Sequence, residues 1–328
     1  MLIMDVDNEW ELFLSGENTE TLSKNENLSN IDIPKCSDIY ISTKTKIAYL
    51  NSTIDLNDIF WKIPIEPYYT NEECAIKKQM KFNSNNPEEL VVIENNLKKA
   101  EFSNTKIITQ INNSTGRIKY RDVRKISIGI SKKDILNNRK KEKSAFYNCF
   151  VVILRIKIEN TYKEVHVKVF NTGKLEIPGI QTDLMFHKTI QLLIKILQPY
   201  ISSKLEFDKD KSETVLVNSN FTCNYFINRD KLFELLKYKY RINCNYDPCS
   251  YPGIQCKYNI DNNQQMSFMI FRTGSVLIVG KCNDSVLMDI YKFLSEMFQS
   301  EYINIHCTND TPIKKNTVTK KKKITIYK

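Results

Sequence analysis

Apolar and polar positions mark out strands and helices in an order that occurs twice. Phe150–Ile158 and Glu164–Phe170 are rich in β-branched and aromatic residues and read as a hairpin across Glu159–Lys163. Gly253–Ile260 and Met266–Phe271 read as a second hairpin across Asp261–Gln265. Each hairpin runs into a similar decapeptide. Phe170-Asn-Thr-Gly-Lys-Leu-Glu-Ile-Pro-Gly179 and Phe271-Arg-Thr-Gly-Ser-Val-Leu-Ile-Val-Gly280 share Phe, Thr, Gly, Ile and Gly at an offset of 101. Each ends one strand, turns at Thr-Gly and starts another. An amphipathic helix follows each copy. The first, about Thr182–Gln198, carries Leu184, Leu192, Leu193, Ile196 and Leu197; the second, about Asp284–Phe298, carries Leu287, Ile290, Leu294 and Met297.

Upstream, Asp38–Leu50 and Glu213–Phe226 each read as a strand feeding a short helix, Ile54–Lys62 and Arg229–Lys239. The repeated unit is therefore strand, helix, several antiparallel strands and a long helix. Two such units imply one α+β fold with a continuous curved sheet and helices on one face. The first copy is interrupted between Phe82 and Phe146. That insertion contains a predicted helix from Pro87 to Phe102 and short predicted strands at Lys106–Gln110 and Gly116–Tyr120. The expected divisions are an acidic segment 1–37, a first repeat 38–200 with its insertion at about 84–145, a second repeat 207–300 and a basic tail 301–328.

Charge sharpens this division. The chain of 328 residues has a formal net charge of +10. Residues 1–38 carry −7, which leaves +17 on the rest. Residues 117–143 carry +8, and the stretch from Thr311 carries +7 with no acid. Two basic runs on a basic body favour a polyanionic partner. No apolar run is long enough for a membrane span, and the acidic N-terminus does not read as a secretory signal. The nine cysteines are scattered, without a Cys-x-x-Cys pair. Their closest grouping, Cys244, Cys249 and Cys256, has no His at zinc-ligand spacing. They read as buried reduced thiols, hence a reducing compartment. His166, His187 and His306 are isolated from any interpretable nucleophile, and no phosphate-loop or dinucleotide fingerprint appears. The chain reads as a protein without catalytic residues, metal or cofactor.

The repeated hairpins resemble those of the TATA-binding protein family. Tyr246-Asp-Pro-Cys-Ser-Tyr-Pro-Gly-Ile254 resembles its Tyr-Glu-Pro-x-x-Phe-Pro-Gly-Leu, with Tyr251 at the Phe. Met269-Ile-Phe-Arg-Thr-Gly-Ser resembles its Leu-Ile-Phe-x-Ser-Gly-Lys, and Val169-Phe-Asn-Thr-Gly-Lys174 matches the same hairpin in the first copy. Asn218, after Val215-Leu-Val, matches the surroundings of the family's groove-reading Asn. The match covers about residues 38–83 and 146–300. The insertion and basic tail are similar to divergent members carried by large cytoplasmic DNA viruses.

The resemblance implies a saddle-shaped pseudo-two-fold repeat with helices on the convex face. It implies a monomeric, non-enzymatic initiation factor that binds and bends promoter DNA through the minor groove. The family is itself the usual illustration of apolar wedges entering base steps there. A IIB-type factor and RNA polymerase are the implied partners, beside double-stranded DNA. The implied location is a cytoplasmic viral factory or virion if the protein is viral, the nucleus if it is cellular. The expected wedges are Phe170 and Phe271, with Tyr251 partnering Phe271, and Phe150 or Phe146 as possible partners of Phe170. Strand alternation adds Lys168, Lys174, Met269, Leu277 and Val279 to the expected DNA face, with Leu175, Ile177, Val276 and Ile278 beneath the helices. Glu176, at a family-apolar position, departs from the pattern, as do Ser42 or Thr43 in place of Asn, and Pro178 and Val279 in place of Thr. Two other readings stay open: a degenerate saddle kept as a protein-interaction scaffold, and a nonspecific architectural DNA binder. The acidic segment, with Trp10 and Phe13, reads either as a solubilising tail or as an interaction peptide able to mask the basic face.

Overall fold

The computed structural model describes residues 32–113, 115–136, 148–261 and 264–307. Residues 1–31 of the acidic segment, with Trp10 and Phe13, lie outside them, as do Phe146 and the basic stretches 137–147 and 308–328. The described chain divides into two compact units. One holds residues 43–215 and the other residues 32–42 with 216–307. Among the described residues no helix is long and apolar enough to cross a membrane.

In the first unit, β1 (Tyr40–Tyr49) leads to α1 (Leu56–Lys62). Asp55 caps that helix by accepting from the amides of Asn57 and Asp58. β2 (Cys74–Ser84), α2 (Pro87–Lys98), β3 (Ser103–Asn112), β4 (Tyr120–Gly129) and α3 (Lys132–Leu136) follow. Then come β5 (Cys149–Ile158), β6 (Thr161–Phe170), β7 (Lys174–Ile180) and α4 (Asp183–Leu197), capped by Thr182. The antiparallel strand order is β1-β7-β6-β5-β2-β4-β3. One sheet face is dry. Val152, Leu154, Ile156, Val167, Val169, Leu175 and Ile177 are buried with Ile59 and Phe60 of α1 and Ile190 and Leu193 of α4.

The second unit repeats the plan. β8 (Glu213–Thr222) and β9 (Phe226–Ile227) precede α5 (Arg229–Glu234), which continues as a π-turn over Leu235–Lys239. β10 (Asn243–Asn245), β11 (Ile254–Asp261), β12 (Gln264–Ile270), β13 (Ser275–Gly280) and α6 (Asp284–Ser300) complete it, in the strand order β10-β11-β12-β13-β8. Phe268, Val276 and Ile278 are buried with Leu287, Ile290 and Leu294 of α6. Each unit is thus α+β, with its long helix and the short helix after its first strand on one face of an antiparallel sheet. α7 (Tyr302–Ile305) and β14 (His306–Cys307) pack back, with β14 paired to β9, so residues 302–307 are structured rather than tail.

The insertion departs from its sequence pattern. Its helix stops at Lys98, and its second strand lies over Tyr120–Gly129 instead of Gly116–Tyr120. That strand runs through the basic stretch and pairs with β2, a strand the pattern leaves unmarked. Buried charges explain both. Arg124 donates from Nε and Nη2 to the two carboxylate oxygens of buried Asp122, at 2.6 and 2.8 Å. Lys78, only 4% exposed, donates to the carbonyls of Ile63 (2.7 Å) and Trp61 (3.3 Å) at the end of α1.

The Thr-Gly turns explain why the repeated decapeptides keep glycine. Gly173 and Gly274 have φ of +80° and +82°. A Cβ on Gly173 would lie 2.4 Å from the Ser52 carbonyl oxygen, and one on Gly274 2.3 Å from that of Tyr225. Both hairpins therefore press their turns against the backbone that follows the first strand of their own unit.

Candidate nucleic-acid interface

The face of the second unit's sheet away from its helices is read directly from register. Asn218 stands opposite Val279, which stands opposite Ser267, which stands opposite Lys257. One row along, Asn220, Leu277, Met269, Gln255 and Asn245 are consecutive neighbours. Leu277, Val279 and Met269 are half-buried while their strand neighbours Val276, Ile278 and Ile270 are fully buried. None of the residues named in these two rows is acidic. The face combines aliphatic side chains with amides that can both donate and accept. The Ser42 hydroxyl, in the same unit, donates to the backbone carbonyl of Asn218 at 3.1 Å, so one of the two residues, Ser42 and Thr43, expected at the place of the family's Asn supports the strand carrying Asn218.

Phe271 follows Met269 on this face but is not open. It is 3% exposed, under the ring of Tyr251 at a centroid separation of 6.0 Å. The Tyr251 hydroxyl lies 3.5 Å from the Met269 sulfur. Gly253 makes this cover possible, because a Cβ there would come within 2.9 Å of the Phe271 ring. The expected pairing of Phe271 with Tyr251 is present, but as a closed aromatic pair rather than as an exposed wedge.

In the first unit the corresponding face carries Lys168 and Phe170 of β6 with Glu176 of β7. Lys168 and Glu176 are directly opposite, and their side chains form an ion pair at 2.6 Å. The carboxylate that departs from the family pattern therefore has a donor beside it. Phe170 is half-buried, and the Lys174 ammonium lies 5.8 Å from its ring centroid. Directly across from Phe170 is Cys149, not an aromatic residue. Phe150 is corrected by the structure. It stands opposite Val169, is fully buried and packs against Phe60 at 6.4 Å. One residue of register sends it to the helix side, where it is core and cannot meet DNA. Burial pushes the Cys149 thiol up, with a smaller opposing effect from Lys168. On the same face, burial and the neighbouring Lys133 and Lys77 hold His166 below its ordinary range, so it is neutral at pH 7.

Asn220, Gln255 and Lys257 were not singled out by sequence. The alternation Val217-Asn218-Ser219-Asn220-Phe221 already puts both asparagines on one face. Gln255 and Lys257 join them only through the register between β11 and β12.

No protein-family model matches the chain. A curated mimivirus protein (Acanthamoeba polyphaga mimivirus) described as TATA-box-binding protein-like is 26% identical over 209 residues. The match takes in 56% of this chain and 56% of that protein, so the chain spans about half the length of the relative it matches. The chain is similar to a viral TATA-box-binding protein-like protein. The solved structure of the Methanococcus jannaschii TBP aligns with 80% of this chain and 99% of its own, at 13% identity and a TM-score of 0.42. The resemblance drawn from Tyr246–Ile254 and the two Phe-x-Thr-Gly hairpins thus agrees with the curated relative.

Proposed function

We propose that this chain is a transcription initiation factor that binds double-stranded DNA in the minor groove through the helix-free face of its second unit. The observation that supports the reading is the double row of Asn218, Asn220, Leu277, Val279 and Met269, apolar and amide-bearing with no acid at these five positions. The minor groove offers acceptors at every base pair and one donor at G·C, so amides can pair with either and aliphatic groups can fill the sugar-lined walls. Phe271 enters a base step only after Tyr251 moves off it, which couples wedge insertion to DNA bending. In the first unit, Phe170 and Lys174 keep a ring and a cation together, but Lys168 is taken up by Glu176. That half makes the weaker contact. Recruitment of a IIB-type factor and RNA polymerase by the bent complex completes the proposal.

The test is a titration of doubly labelled duplex DNA with the full chain, reading end-to-end energy transfer as bending. Neutralising about six phosphates gives a log–log salt slope of roughly −5. A slope near zero without bending would assign the chain to the scaffold reading instead. Salt-dependent binding without bending would make it an architectural binder of another kind.

A further inference from the structure

Cys244 of β10 stands directly opposite Cys256 of β11. Both fall on the helix-covered face, Cys256 buried in the core of the second unit and Cys244 packed partly against it. Their thiols are close enough to share a hydrogen bond. Directly opposed residues of an antiparallel pair have Cα atoms about 4.5–5.5 Å apart, within the span a disulfide bridges. β10 is only three residues long and ends the strand order, paired with β11 alone. Such an edge opens at little cost, and Cys244 is the member it would bring to solvent.

We propose that Cys244 and Cys256 are a reversible redox pair, converted by a small-molecule disulfide into a cross-strand disulfide. The Cys244 thiolate attacks one sulfur of the small disulfide. The S–S bond breaks, one small thiolate leaves and takes up a proton, and Cys244 holds the mixed disulfide. Cys256 then loses its proton to solvent, attacks the Cys244 sulfur and expels the second small thiolate. Two protein thiols are oxidised and one small disulfide is reduced to two thiols. The order of attack follows the local chemistry. The hydrogen bond from Cys256 holds the Cys244 thiol below its usual range, whereas that same bond and burial push Cys256 up. In a reducing compartment such a bond is transient and reports a change in redox poise.

The link would close the loop Asn245–Gln255, which carries Tyr251 and Gly253. Stapling the root of this loop restrains the Tyr251 ring where it lies, over Phe271. This consequence rests on the proposed DNA-binding role; the disulfide itself does not. Oxidation then keeps Phe271 covered and weakens binding.

The experiment equilibrates the purified full chain in glutathione buffers of stepped potential, quenches in acid, alkylates and maps peptides by mass spectrometry. Cys244 and Cys256 are expected to leave the alkylated pool together and to appear as the first intrachain linked peptide, reversibly with dithiothreitol. Exposed Cys249 should take only a mixed disulfide. Arrest of Cys244 at the mixed disulfide, or earlier formation of any other link such as Cys36–Cys223, overturns the pair. Cys244→Ser, checked by its melting curve, should leave Cys256 a thiol throughout. In the DNA titration the oxidised chain should bind about fivefold or more weakly than the reduced chain, and Cys244→Ser should be indifferent to glutathione. A linked pair with unchanged affinity overturns the control of Tyr251. Absence of DNA binding in both states overturns the DNA-binding role and leaves the pair standing.

Discussion

Lys168 and Glu176 face each other across β6 and β7, with 2.6 Å between ammonium and carboxylate. Neither side chain is fully buried, so the pair is worth little to stability. Its effect is on the face it occupies, where a cation beside Phe170 is neutralised. Glu176→Gln removes the negative charge from this face and should tighten duplex binding about threefold to tenfold and steepen the salt slope by about one. Anisotropy titrations at three or more salt concentrations give both numbers. An unchanged affinity and slope would mean that this half of the chain does not meet DNA.

The two expected wedges should respond differently to truncation, because Phe271 is closed under Tyr251 while Phe170 is half-open. Phe271→Ala should cost about 3 kcal/mol of folding stability together with DNA affinity. Phe170→Ala should shift the melting temperature by no more than about 2 °C while weakening duplex binding several-fold. Thermal melts beside titrations separate the two. A large loss of stability from Phe170→Ala, with affinity per folded molecule unchanged, would place Phe170 in the core.

The contrast between these two residues shows how far the sequence could be read. The offset of 101 between Phe170 and Phe271, and the alternation about them, placed Leu175, Ile177, Val276 and Ile278 under the helices, where they lie. Whether an aromatic on the other face is covered depends on what crosses over it. Tyr251 and Gly253 reach Phe271 from a loop, and that contact has no periodicity. The insertion was harder to read for another reason. β2 and β4 carry Lys78, Asp122 and Arg124 at buried positions, so their binary pattern is broken where tertiary partners neutralise charge. Phe150 and Cys149 differ by one residue of register, which no local pattern resolves.

Lys78 makes a pH prediction. Burial lowers its pKa from 10.5 to about 8 in the folded chain. Below about pH 8 both states are protonated and the fold bears the full cost of the buried charge. Between there and 10.5 the unfolded chain holds the extra proton, so stability rises with pH, by at most about 3 kcal/mol in all. Chemical denaturation midpoints measured from pH 7 to 10 should therefore climb. Lys78→Met should flatten this part of the curve and lose the hydrogen bonds to Ile63 and Trp61. A wild-type midpoint that falls steadily over the same range would show that Lys78 stays charged in the fold.

Asn218 offers the sharpest test of groove reading. It stands in a row with Val279, Ser267 and Lys257, none of them acidic. Asn218→Asp keeps the size and shape of the side chain and removes its donor. The new carboxylate meets the adenine N3 and thymine O2 acceptors, with which it cannot pair, and repels the flanking phosphates. The Kd for A·T duplexes should rise roughly tenfold or more. At G·C steps the guanine amino group can donate to the carboxylate, so the loss there should be smaller and base preference should shift toward G·C. Asn218→Ala is the control: it loses the pairing without adding charge, and should weaken both duplexes by similar, lesser factors. Melting curves run beside the titrations let affinity be compared per folded molecule, and the Ser42 bond, made to the backbone carbonyl of Asn218, is open to both variants. Equal losses on A·T and G·C duplexes for Asn218→Asp would point to simple charge repulsion at a distance and remove Asn218 from the groove.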